Sequence, residues 1–76
     1  MPDTSQIKAL TTRERAVLEM IVGGFPAREI AMRLGIAPRT VEGHVDQLRI
    51  KTGSRNRAHM AAIAVRAGLV AAPAWV

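Results

Sequence analysis

The side chains that could perform covalent chemistry are few and badly placed for it. His44 and His59 stand fifteen residues apart, with no carboxylate cluster beside either, so neither a metal site nor a histidine-centred acid–base pair is expected. No serine or threonine sits in a glycine elbow with a histidine and an orienting acid, as a nucleophile–base arrangement requires. Gly23-Gly24 is an isolated pair, a helix stop rather than a phosphate-cradling loop. The chain has no cysteine, which removes thiolate metal sites and disulfide staples together. Catalysis, a cofactor, a metal and a small-molecule ligand are all unexpected.

What remains is electrostatic chemistry. Eleven Lys/Arg against six Asp/Glu leave +5 on 76 residues. The excess is concentrated: Arg28, Arg33, Arg39, Arg49, Lys51, Arg55 and Arg57 face only Glu29, Glu42 and Asp46 over the same stretch. Such a balance calls for a polyanion, nucleic acid before membrane, because the cations are not gathered on one amphipathic face. No apolar run approaches the ~18 residues of a spanning helix. Met1 to Leu10 lacks the basic-then-apolar order of a signal peptide. A cytoplasmic, nucleoid-associated protein is the expectation.

The elements that must hold these cations read as short helices. Thr11-Thr12-Arg13-Glu14 is a capping box, opening a helix that carries Val17, Leu18, Ile21 and Val22 on one side and stops at Gly23-Gly24. A second helix starts near Pro26, buries Ile30, Ala31 and Leu34, and ends at Gly35 in a left-handed position. Pro38 begins a third, with Val41, Val45, Leu48 and Thr52 inward and Gly53 closing it. Asn56 caps a fourth, Arg57 to Ala67, ended by Gly68. On that helix Ala58, Ala61, Ala62 and Val65 are expected to face the core, with Met60, Ile63, Ala64 and Ala67 on another side. Residues 1–9 form a flexible arm, 10–70 one domain and 71–76 a tail. The architecture is all-α, and the three-residue joint Gly35-Ile36-Ala37 has the length of a helix-turn-helix.

The order of residues says more than the periodicity. Leu10-Thr11-x-Arg13-Glu14, Val17-Leu18, Glu29-Ile30-Ala31, Leu34-Gly35-Ile36, Thr40-Val41-x-x-His44, Lys51-x-Gly53-x-x-x-Arg57 and Gly68-Leu69-Val70 follow in register. This series resembles the LuxR/GerE/FixJ-type DNA-binding domain over about Leu10 to Val70. The resemblance implies a four-helix, tetrahelical helix-turn-helix that regulates bacterial transcription, with the third helix in the major groove and dimers formed through the fourth. A chain of this length is similar to the stand-alone members.

By position in that motif, Glu42, Gly43 and Asp46 match the places from which members reach base edges. Here the sequence departs from the common pattern, with two acids where basic residues are frequent. Carboxylates are repelled by phosphate but can accept from cytosine N4; Gly43 offers close backbone approach. Asp46 reads equally well as solvated surface. Arg28, Arg39, Thr40, Arg49 and Lys51 are the expected phosphate contacts, making binding strongly salt-dependent. Pro26 and Ala37 stand where the family has capping hydroxyls, and Thr52 and Ser54 where it has apolar residues, which predicts a looser junction around Gly53. Glu14 is expected to pair with Arg57, His44 to be packed and His59 exposed.

The second apolar stripe of the fourth helix, Met60, Ile63, Ala64 and Ala67, predicts a homodimer interface. The competing occupant is the tail, with Trp75 as a plug. Double-stranded DNA is thus the expected partner, with no membrane. Two rival readings stay open. One is a module that pairs with a larger LuxR-type regulator and blocks its DNA binding, favoured by the acidic Glu42/Asp46 face. The other is a domain cut from a larger regulator, which the Met1-Pro2-Asp3 start argues against.

Overall fold

The computed structural model describes residues 10–71; the arm assigned to 1–9 and the tail from 72 onward, Trp75 included, lie outside the described residues. Four helices follow in order: α1 Thr12–Val22, α2 Ala27–Leu34, α3 Pro38–Thr52 and α4 Arg57–Arg66. No strand occurs among the described residues.

Local chemistry accounts for the boundaries. Thr11 Oγ1 accepts from the Glu14 amide at 3.0 Å, and Glu14 Oε1 accepts from the Thr11 amide at 2.8 Å, so the capping box that opens α1 is complete. Asn56 Oδ1 accepts from the His59 amide at 2.9 Å and opens α4. The two inner helices begin without a side-chain cap, at Pro26 and at Ala37. Pro38 offsets part of that deficit, because a first-turn proline has a preset φ and no amide hydrogen to satisfy.

The joint between α2 and α3 turns on Gly35, at φ +67°. There the Ile36 amide donates back to the Ala31 carbonyl at 3.0 Å, and Ile36 tucks against the core. A side chain forced into that left-handed conformation would cost about 1–2 kcal/mol. Gly53 repeats the device after α3, with the Ser54 amide on the Arg49 carbonyl at 3.2 Å.

α3 packs against all three other helices, and α1 also packs against α4. The core is Val17, Leu18 and Ile21 from α1, Ile30 and Ala31 from α2, Val41 and Leu48 from α3, and Met60 and Ala64 from α4. Val22, Leu34 and Val45 are half-buried at its edge. The junction at Gly53 is tight, contrary to expectation. Thr52 is fully buried; its hydroxyl donates to the Leu48 carbonyl at 2.7 Å and shares a second bond with Ser54 Oγ at 2.9 Å. Arg15 Nη1 donates to the Leu69 carbonyl at 2.8 Å, tying α1 to the segment after α4.

The stripes of α4 differ in part from those expected: Ala61 does pack against the core, but its expected neighbours there do not all follow. Met60 and Ala64, assigned to a dimer interface, are fully buried in the monomer, while Ala58 and Ala62, assigned to the core, are exposed. Ile63 is half-buried and Ala67 exposed. The reason is size. Met60 is the longest apolar side chain on α4, and burying it is worth about 1.5–3 kcal/mol, more than the same turn of alanine could return.

Candidate nucleic-acid interface

Because α3 is anchored along one side by Val41, Leu48 and Thr52, the 100° step between residues fixes what it presents on the other. Arg39, Gly43, Asp46 and Ile50 form the outermost line. Glu42 and Arg49 flank it on one side, Thr40 and Gln47 on the other. All eight are exposed, over about 16 Å of helix from Arg39 to Ile50 at ~1.5 Å per residue. Every expected base-facing residue therefore lies on one exposed face. Gln47 and Ile50 join it although the sequence reading passed over them. The signal was present: they stand four and seven residues after Gly43.

Gly43 has no internal reason to be glycine. A Cβ built there meets nothing within 4 Å, and its conformation is ordinary helix. Glycine inside a helix costs about 0.5–1 kcal/mol relative to alanine, so this position sacrifices stability without any packing return.

The expected phosphate contacts divide into two groups. Arg28 is exposed in the first turn of α2, and Arg39 and Thr40 in the first turn of α3. Arg49 is exposed too, and Nη2 donates to the Arg55 carbonyl at 3.2 Å, which fastens the α3–α4 loop to α3. An open groove lined by Asp46, Arg49, Ile50 and Ser54 runs beside this fastening. Lys51 differs. Its Nζ donates to Glu14 Oε1 at 2.7 Å, and the side chain is 22% exposed against 5% for that of Glu14. The ammonium thus joins α3 to α1. Arg57, the partner expected for Glu14, is exposed at the start of α4.

Glu14 is the buried carboxylate among the described residues. Burial pushes its carboxyl up, but hydrogen bonds from Lys51 and from the Thr11 amide and hydroxyl outweigh that and hold it below the usual glutamate value. Such a group is fully ionised near neutrality and belongs to the scaffold. Two other polar contacts also serve structure. Arg33 pairs with Glu29 at 3.1 Å and stacks 4.4 Å over the Phe25 ring. His59 is half-buried rather than exposed, and its Nδ1 accepts from the Arg55 amide at 3.0 Å. His44 is half-buried. No group of three or more metal-ligating side chains occurs among the described residues, and none of their helices is long and apolar enough to cross a membrane.

Comparison with known proteins converges on this architecture. Residues 8–64 match the family model described as bacterial regulatory proteins, luxR family. The transcriptional regulatory protein FixJ of Rhizobium meliloti is 36% identical over 64 residues, covering 84% of this chain and 31% of that protein. The transcriptional activator protein AhyR of Aeromonas hydrophila is 43% identical over 63 residues, covering 83% and 24%. A solved structure of the Vibrio cholerae VqmA dimer, a LuxR-type receptor in the absence of its target DNA, superposes with a TM-score of 0.78 at 28% identity, over 91% of this chain and 37% of that one. The chain thus spans about a third or less of these relatives' length. With its ordered motif series, its helix-turn-helix and these matches, the chain belongs to the LuxR family of bacterial DNA-binding transcription regulators, which are not enzymes.

Proposed function

We propose that the chain binds duplex DNA by laying α3 in the major groove, as a dimer on a two-fold site. The observation that carries this reading is the division of α3: one face is fixed to three helices, and the other stands bare with Arg39 and Thr40 at one end and Arg49 at the other, while Arg28 is exposed at the start of α2. Those four position the helix on phosphate. Glu42 and Asp46 accept hydrogen bonds from cytosine N4, and Gly43 lets the helix backbone come close to a base edge. Lys51, occupied by Glu14, acts on the scaffold rather than in this frame.

The dimer reading rests on the outward stripe of α4. Ala58 and Ala62 are exposed one turn apart with half-buried Val65 beyond, and small side chains let two helices approach closely. This replaces the stripe of Met60 and Ala64, which the monomer's core already occupies. The VqmA structure is of a dimer, which supports dimerisation as such and leaves the choice of α4 to the stripe. Half-sites would then lie about 34–36 Å apart, one turn of DNA. A cytoplasmic, nucleoid-associated location follows from the same reading.

Selection from randomised duplexes on the purified chain, followed by anisotropy titration of the enriched sequence at two salt concentrations, tests this reading. A palindrome bound far more tightly than its scrambled counterpart, with affinity falling steeply with salt, is the expected result. Equal, weak binding to every duplex would refute it.

A further inference from the structure

The outer line of α3 contains one residue that the charge argument does not use. Ile50 is 64% exposed, and with Met32 on α2 it is one of two large apolar side chains so exposed among the described residues. It lies outside the buried core, and its β-branch makes it a poorer helix former than Arg49 and Lys51 beside it. It also sits in the open groove with Asp46, Arg49 and Ser54, so a flat molecular edge can reach it between polar walls. It is continuous with the DNA face, seven residues and about two turns after Gly43 on the same line.

A helix in the major groove meets base edges that are polar with one exception, the C5-methyl of thymine. We propose that Ile50 is a specificity-determining residue that packs on that methyl, so that each half-site carries a thymine at a fixed distance from the base read by Glu42. Eight residues at ~1.5 Å separate the two along the helix, about 12 Å, which is three to four base pairs at ~3.4 Å per step. The reading face then has two ends of opposite chemistry, acidic near the start of α3 and apolar near its finish. This rests on the DNA reading above, and the test keeps the two apart.

The test takes the sequence enriched by the wild-type chain and replaces each thymine in turn by deoxyuridine, which removes only the methyl. Binding is measured for wild type, Ile50→Ala and Glu42→Ala. One thymine per half-site, three to four base pairs from the position whose preference changes in Glu42→Ala, is expected to weaken wild-type binding about fourfold on losing its methyl, the weight of one buried carbon. Ile50→Ala is expected to lose that sensitivity and, being a surface change, to keep the wild-type melting temperature. If every replacement affects wild type and Ile50→Ala alike, the assignment is wrong while the DNA reading stands. An Ile50→Ala variant that binds all duplexes as wild type but changes its sedimentation places Ile50 in a protein contact and overturns the proposal. If wild type enriches no sequence at all, the DNA reading and the proposal fall together.

Discussion

The two faces of α3 are made by one fifteen-residue helix and obey different rules. On the inner face every residue is explained by what it touches. Val41 and Leu48 fill the core, the Thr52 hydroxyl is bonded to Leu48 and Ser54, and Lys51 holds Glu14. On the outer face Arg49 is fastened to the Arg55 carbonyl, and the rest is not explained from within. Gly43 faces open space, Ile50 is mostly exposed, and no ion pair among the described residues engages Glu42 or Asp46. Two acids one turn apart even repel mildly. A helix that optimises one side and sacrifices stability on the other has its remaining requirements set by a partner.

Truncation on the inner face of α3 should do the most damage. Leu48→Ala leaves a cavity where α3 meets the other helices and is expected to cost about 2–5 kcal/mol, enough to unfold much of so small a domain. Denaturant unfolding followed by circular dichroism reads it directly. An equivalent truncation on the outer face, Ile50→Ala, should leave the midpoint within about 0.5 kcal/mol of wild type.

Next in size is the clasp between α1 and α3. Glu14→Gln removes the charge that Lys51 faces and weakens the capping box. The pair is only partly shielded from water, so a loss of about 2 kcal/mol is expected, below the range for a fully buried pair. The same group gives the domain a pH signature. Because the Glu14 carboxyl is held below the usual glutamate value of 4.5, its contribution is fully present above that value and is lost as pH falls through the lowered folded value. Melting temperatures scanned downward from pH 6 should fall more steeply for wild type than for Glu14→Gln. Parallel curves would remove Glu14 from the account.

On the outer face the effects move from stability to binding. Arg39→Ala should weaken wild-type and scrambled duplexes alike and shallow the salt slope by about 0.9, the loss of one phosphate contact, with melting unchanged. The smallest effect is also the sharpest. Gly43→Ala should stabilise the free domain by about 0.5–1 kcal/mol while weakening DNA binding, since the added methyl stands where a base edge would approach. A variant that gained stability and bound DNA unchanged would show that the close approach does not occur.

Much of this was legible before the fold was known, and the reasons are local. Thr11 with Glu14, Gly35, Gly53 and Asn56 fix helix ends through contacts within a few residues of themselves, so the helices and the helix-turn-helix joint follow from sequence. The buried stripe of α3 was equally plain, because apolar and charged residues alternate there at helical spacing. α4 misled because both its stripes are apolar, and only the space left between α1 and α3 selects Met60 over its neighbours. The partner of Glu14 was hidden because Lys51 and Arg57 are both remote in sequence, and their choice is made by packing. Ile50 was overlooked because an isoleucine beside a buried stripe is read as inward unless its angle is counted.

On the proposed reading the bare face of α3, joined by Arg28 at the start of α2, is the surface that meets DNA. Following backbone amide resonances of the isotopically labelled chain as the enriched duplex is added tests this most directly. The largest shifts are expected at Arg39, Gly43, Asp46 and Ile50, smaller ones at Arg28 and Thr40, and little change at Val17 and Leu18 in α1. Shifts concentrated on α1 or α2, with Gly43 and Asp46 unmoved, would contradict that reading.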